Sequence, residues 1–195
     1  MIVEHQFLHR DYFFPNWSVN TLFLGTFNPE CGEQLSYYYG RNSNGFWKIL
    51  KHYDLDNRFD FSDFQELKRF MRLRRFGCVD IIRRVSFPDL DRDKICGNGY
   101  SDGNLFRIRN YERDYNFEQI KNYIIQNDIM NILTTWGNRE NPMEFRNLLN
   151  DFKIFCSQNE INYTPLPSPS GRLYKGDKIY TINNSWWNIL DQIFD

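Results

Sequence analysis

The sequence predicts an α/β protein, a three-layer α/β/α sandwich around a central, mainly parallel four-stranded sheet. Three observations carry that reading. Short apolar runs bounded by turn residues recur at 20–25, 77–82, 129–136 and 152–155, each of strand length. Segments with helically spaced apolar residues separate these runs and follow the last of them. Strands alternating with helices place parallel strands in one sheet with helices on both faces. No internal repeat or linker divides the 195 residues, which are read as one domain, 1–195.

The first strand, 20–25, runs through Thr21, Leu22, Phe23 and Leu24 to Gly25. A helix follows over 44–53, with Phe46, Trp47, Leu50 and Tyr53 on one face and Asn44 near its start. Ser62 is placed to cap a second helix that carries Phe64, Leu67 and Met71. The run 77–82 is the second strand and ends in Arg83 and Arg84. From 86 to 116 the periodicity dissolves into Gly, Asp, Asn and Arg, which reads as a long loop. Helical spacing resumes at Phe117, Ile120, Ile124 and Ile125, and the third strand, 129–136, is closed by Gly137. Pro142 opens a helix over 142–149, at a position where its missing N–H costs nothing. The run 152–155 is the fourth strand, and a last helix begins near 183–185 with Trp186, Ile189, Leu190 and Ile193 on one stripe.

Composition narrows the function classes. The formal charge of −1 provides no global basic field. A nucleic-acid partner would be held by local clusters such as Arg72, Arg74 and Arg75, or Arg83 and Arg84. Cys31, Cys78, Cys96 and Cys156 form no C-x-x-C pair, which argues against a zinc or iron–sulfur site, and no metal or cofactor is expected. The four are read as free thiols in a reducing compartment. The N-terminus has no basic stretch followed by an apolar run, and no apolar run approaches membrane-spanning length. A soluble cytoplasmic monomer with no membrane partner is expected.

Two polar loops carry the chemistry. The first strand ends in Gly25-Thr26-Phe27-Asn28-Pro29, followed by Tyr37-Tyr38-Tyr39-Gly40-Arg41-Asn42-Ser43-Asn44-Gly45-Phe46-Trp47. A strand that ends in Gly and opens into an Asn, Pro and aromatic loop builds a pocket where open α/β sheets bind ligands. Aromatic faces beside amides suit stacking on a base and reading its edge. The second loop is Pro165-Leu166-Pro167-Ser168-Pro169-Ser170-Gly171-Arg172.

In order and spacing these motifs resemble the uracil-DNA glycosylase superfamily, above all its mismatch-specific and hypoxanthine-type branches. Members open with a Gly-x-Asn-Pro-Gly or Gly-Ser-Phe-Pro-Gly loop after a strand, followed by an aromatic-x-His-Pro-x-Asn-x-Phe-Trp segment. Gly25–Pro29 and Tyr39–Trp47 stand at these two places. Leu166-Pro167-Ser168-Pro169-Ser170 is similar to the C-terminal Leu-Pro-Ser-Thr-Ser loop of some members, and Gly77-Cys78-Val79-Asp80 to a Gly-x-x-Asp strand start. The resemblance covers about 21 to 194. It implies a uracil-DNA glycosylase-like fold and a monofunctional DNA glycosylase. Such an enzyme hydrolyses the N-glycosidic bond of a flipped deaminated base, of the uracil or hypoxanthine class, in base-excision repair.

The implied roles follow residue by residue. Asn44 is the first catalytic candidate and Asn28 the second; Gly25, Thr26, Phe27 and Tyr39 surround the base, with Tyr39 as the stacking wall. Ser168, Ser170, Gly171, Arg172, Leu173 and Lys175 contact DNA containing a damaged or mismatched base. An amide can grip a base edge or orient a water, though it does not titrate. The chain departs from the family where Phe27 replaces a water-positioning Asn of the mismatch-specific branch, as it does in the hypoxanthine-type branch. Leu166 stands where the uracil-specific branch has an electrophilic His, and Arg41 replaces the His of the first segment. Phe27 and Leu166 motivate an alternative, a catalytically weakened nucleic-acid or nucleotide-binding module of the same fold. Weak net charge motivates a third reading, an enzyme acting on a small nucleoside or base.

Overall fold

The computed structural model describes residues 1–96, 100–107, 110–137, 143–170 and 174–194. Its centre is a four-stranded, all-parallel sheet of β2 (Thr21–Gly25), β3 (Phe76–Asp80), β6 (Asn131–Thr134) and β7 (Asn162–Pro165), in the order β3-β2-β6-β7. Both β2 and β3 are buried along their whole length, so they read as continuous apolar runs rather than alternating ones. In register, Gly25 lies opposite Asp80 and Leu24 opposite Thr134.

Seven α-helices are found among the described residues. Helices α1 (Phe46–Leu50) and α7 (Lys178–Phe194) contact each other, as do α5 (Phe117–Gln126) and α6 (Met143–Gln158). Phe23 of β2 packs against Phe46 and Trp186 of the first pair, while Phe117, Phe145 and Phe152 pack together in the second. This arrangement is compatible with three layers. Helix α2 (Phe64–Leu73) contacts β3 and is capped by Asp63, whose carboxylate accepts the Gln65 and Glu66 N–H groups at 2.7 and 3.0 Å. The cap is therefore one residue beyond Ser62.

Several elements differ from the sequence expectation. The run 152–155 is not a strand. Phe145, Leu149, Phe152 and Cys156 recur at intervals of four, three and four, and all are buried on the face of α6. The fourth strand is β7 instead. Pro142 lies outside the described residues, and α7 begins at Lys178, ahead of 183. The segment 86–116 is not a structureless loop either. It holds a 3₁₀ turn (Asp89–Asp91), the short helices α3 (Arg92–Cys96) and α4 (Asp102–Arg107), and β5 (Glu112–Tyr115).

Strand β5 belongs to a second, antiparallel sheet in the order β1-β4-β5, with β1 at Ile2–Glu4 and β4 at Ile82–Ser86. The chain passes from the parallel sheet into this one across Ile81, whose N–H donates to the Gly25 carbonyl. Asp80 therefore marks the junction of the two sheets.

The cysteines correct another expectation. Cys31 and Cys96 form a disulfide across 65 residues of sequence, so only Cys78 and Cys156 are free thiols, and both are buried. No described helix is long and apolar enough to cross a membrane.

Candidate functional site

In a parallel sheet of order β3-β2-β6-β7, the chain leaves β2 toward one side and β6 toward the other. A crevice opens beyond the carboxyl ends of those two strands. A cavity of about 740 Å³ occupies it, lined by Thr26, Phe27 and Asn28 after β2, Asp80 at the end of β3, and Thr135 and Trp136 after β6. That volume lies within the range of small-ligand sites. Loops complete the wall: Tyr39, Arg41, Ser43 and Asn44 on one side, 100–104 and Arg107 on another, and Ser168, Pro169 and Ser170 on a third.

Asp80 forms the floor. It is 2 % exposed, and its Oδ2 accepts two hydrogen bonds, from His5 Nε2 at 2.8 Å and from Asn28 Nδ2 at 2.7 Å. His5 reaches this place because β1 pairs with β4, and its own N–H donates to the Arg83 carbonyl. The Phe7 N–H donates to His5 Nδ1 at 3.1 Å. That bond leaves the ring hydrogen on Nε2, pointing at the carboxylate. Gly25 is required here by close approach: a Cβ on it would stand 2.1 Å from Asp80 Oδ1 and 2.7 Å from the Tyr39 hydroxyl.

Tyr39 adopts φ 58°, an uncommon conformation for a non-glycine residue. Its ring stacks on Phe46 at 4.0 Å, which covers one face, and the residue lines the cavity. Its hydroxyl pairs with Thr135 Oγ1 at 3.1 Å, and burial, reinforced by nearby Cys78 and Asp80, holds it protonated well above the usual tyrosine range. Asn44 accepts the Phe46 N–H on Oδ1 at 2.9 Å, so its Nδ2 group is the end available to a ligand.

The two predicted loops meet. Gly45 N–H donates to the Pro169 carbonyl at 2.7 Å, and the ring of Tyr174 lies against Gly45 so closely that a Cβ there would overlap it. Asn28, Thr26, Phe27, Tyr39, Asn44, Ser168 and Ser170 all line the one cavity, with Gly25 beneath them. Lys175 is exposed and does not line it, while Gly171, Arg172 and Leu173 lie outside the described residues. Leu166 is fully buried in the core and does not line the cavity, so this position contributes packing. Arg83 pairs with Asp114 and Arg84 with Glu4, and in the other basic cluster Arg74 donates to the Tyr53 and Phe194 carbonyls.

Three contributors were missed by sequence reasoning. Asp80 was noted only within the Gly77–Asp80 motif of a strand read as 77–82, whereas β3 ends on it. His5 lies 75 residues from Asp80 and is brought beside it by an unpredicted sheet. Contacts that hold the wall from 100 to 107 include Tyr100 hydroxyl to the Phe27 carbonyl, Thr26 Oγ1 to Asp102 at 2.8 Å, and the Arg41 guanidinium 4.9 Å over the Tyr100 ring. The Gly25-Thr26 strand end and the Gly77–Asp80 motif were the signals in the sequence that pointed to this floor. No protein-family model matches the chain, and no curated protein sequence matches it significantly.

Proposed function

We propose that this protein is a monofunctional DNA glycosylase of the uracil-DNA glycosylase type, hydrolysing the N-glycosidic bond of a flipped deaminated base. One observation carries the reading. A cavity at the reversal point of the sheet brings together Tyr39, the amide residues Asn28 and Asn44, and the Ser168–Ser170 loop. A base swung out of a duplex needs a slot for a planar ring, donors for its edge and partners for its flanking phosphates. In this reading Tyr39 stacks on the base, and Asn44 Nδ2 donates to the carbonyl oxygen on which negative charge develops as the bond breaks. Ser168 and Ser170 hydrogen-bond the neighbouring phosphates.

The presence of Asp80 on the cavity floor favours an enzyme over a binding module, because stacking and phosphate contacts have no use for a buried carboxylate beside the reacting sugar. The apolar residue at 166 does not weigh against catalysis, since it packs in the core. The test is incubation with labelled single- and double-stranded oligonucleotides carrying uracil, hypoxanthine, xanthine or mismatched thymine, followed by alkaline cleavage of abasic sites. Strand breaks with at least one of these are expected, reduced about 100-fold or more in Asn44→Ala, the order of loss for a transition-state donor. Retarded bands without breaks would replace the enzyme with a binding module.

A further inference from the structure

We infer that Asp80 is the base that takes the proton of the hydrolytic water, and that His5 is the residue that positions it. The inference rests on the glycosylase reading and fills its missing role, because neither Asn28 nor Asn44 accepts a proton at neutral pH.

Among the described residues two carboxylates line the cavity, and their places separate them. Asp102 begins α4 in the wall, where Thr26 Oγ1 donates to it at 2.8 Å. Asp80 lies at the floor with both donors, His5 and Asn28, converging on Oδ2. Among the described residues Oδ1 accepts no hydrogen bond. It is packed over the Cα of Gly25, on the side that the Tyr39 hydroxyl also approaches. A buried pair serving packing alone would be expected to satisfy both carboxylate oxygens. Here one oxygen is anchored and the other is left beside the cavity, with a tyrosine hydroxyl close enough to share a water with it.

The anchoring is rigid. Rings of Phe7, Phe13, Phe27 and Tyr38 surround His5, with centroids 5.3–5.8 Å away, so the imidazole has no room to turn. The Phe7 N–H holds the tautomer, and Nε2–H holds Oδ2. An imidazole that orients a reactive carboxylate in this way acts as a supporting shell does at other sites.

The step balances without a redox change. The bond from C1′ to the base nitrogen breaks, and its electron pair leaves with the base. A water oxygen bonds to C1′ as the sugar gains positive character, while the water proton passes to Asp80 Oδ1. The departing base takes a proton from solvent, and Asp80 returns its own to solvent, leaving an abasic sugar and a free base.

The experiment separates chemistry from binding. Single-turnover excision is measured with the oligonucleotide that the wild-type protein cleaves fastest in the panel above. Affinity is measured with the same oligonucleotide carrying a 2′-fluorinated target nucleotide, which resists cleavage. Asp80→Asn is expected to slow excision by about 10²–10⁴-fold, the scale of a lost general base, with affinity within threefold of wild type. His5→Gln, which keeps a donor toward Oδ2, should retain a rate within about tenfold. His5→Leu, which has none, should fall well below it at equal affinity. If Asp80→Asn loses affinity along with rate, Asp80→Ser is read by the same two measurements, and loss of rate at preserved affinity again supports the base. A wild-type rate in Asp80→Asn or Asp80→Ser overturns the inference and leaves the glycosylase intact. Equal rates in His5→Gln and His5→Leu overturn the role of His5. A wild-type protein that cleaves none of the panel overturns both this inference and the reading beneath it.

Discussion

The floor and the rim of the cavity are built by different means. Gly25, Asp80 and Thr135 stand at the ends of hydrogen-bonded strands, so the ladder register fixes where each one points: Gly25 faces Asp80, and Thr135 N–H donates to the Leu24 carbonyl. The rim residues, Arg41 to Asn44, Tyr100 to Arg107 and Ser168 to Ser170, ride on loops and one short helix. Side-chain contacts and scattered bonds hold them, among them the Gly45–Pro169 bond, the Tyr100–Phe27 bond and the Cys31–Cys96 disulfide. Groups that must be placed to a fraction of an ångström are best carried by rigid elements, and groups that must yield to an entering ligand by loops. On the proposed glycosylase reading, damage to the floor should abolish chemistry, whereas damage to the rim should loosen binding.

The strongest test of the floor is Gly25→Ala. The added methyl would sit 2.1 Å from Asp80 Oδ1, and that carboxylate cannot swing away while His5 and Asn28 hold its other oxygen. The strand must shift or the His5–Asp80 pair must break. We expect excision to fall below detection and stability to fall by about 1–3 kcal/mol, the usual cost of overpacking, read by oligonucleotide cleavage and denaturant unfolding. A variant with near-wild-type excision would show that the floor is far more pliant than its hydrogen bonds suggest.

Alkaline pH attacks the same region without a mutation. Burial holds the hydroxyls of Tyr37 and Tyr38 well above the ordinary tyrosine range, and the Cys78 thiol likewise. Each folded pKa is raised, so below the unfolded values both states hold the proton and stability does not depend on it. Above about pH 10 unfolded tyrosines lose their protons while the folded ones keep theirs. Stability then falls by up to about 1.4 kcal/mol per pH unit for each tyrosine, with Cys78 adding its share from roughly pH 8.5. Thermal melts should be level to about pH 8 and then decline, steeply beyond pH 10, with tyrosinate absorbance from these rings arising only as the protein unfolds. Tyrosinate forming fully in the folded state would mean that the buried floor admits water.

The same division decides how much could be read from the sequence. The strand at Thr21–Gly25 and the helix at Phe117–Gln126 were legible, because an unbroken apolar run and an i, i+3, i+4 stripe each admit one burial pattern. The run 152–155 misled because four residues are too few to distinguish periods of 2 and 3.6; the wider spacing from Phe145 to Cys156 decides for a helix. Thr26, Asn28, Tyr39, Asn44 and Ser168 could be nominated because local turn chemistry and the motif order place them after strand ends. His5 and Tyr100 could not. Their places depend on β1 pairing with β4 and on two short helices whose stability comes from tertiary contacts, neither of which leaves a periodic trace in the sequence. The disulfide was hidden for the same reason, since its two cysteines are neighbours only in the folded chain.

That disulfide provides the gentlest way to separate rim from floor. Cys31 follows the Asn28-Pro29 turn, and Cys96 ends α3, just before the wall that contributes Tyr100 and Asp102 to the cavity. Closing a loop of 65 residues limits the unfolded chain, a stabilisation typically of about 2–4 kcal/mol. The double variant Cys31→Ser/Cys96→Ser should therefore melt at a lower temperature, and a dithiol reductant should bring the wild-type protein to the same value. Neither His5 nor Asp80 depends on this link, because the hydrogen bonds that hold them come from Phe7, Arg83 and Asn28. In the remaining folded protein we expect affinity for the uncleavable oligonucleotide to drop several-fold, while the single-turnover rate of bound substrate stays within about threefold. Should reduction silence the chemistry as fully as Gly25→Ala does, the wall from 100 to 107 would belong to the catalytic floor, and the division of the cavity into a rigid base and an adjustable margin would have to be given up.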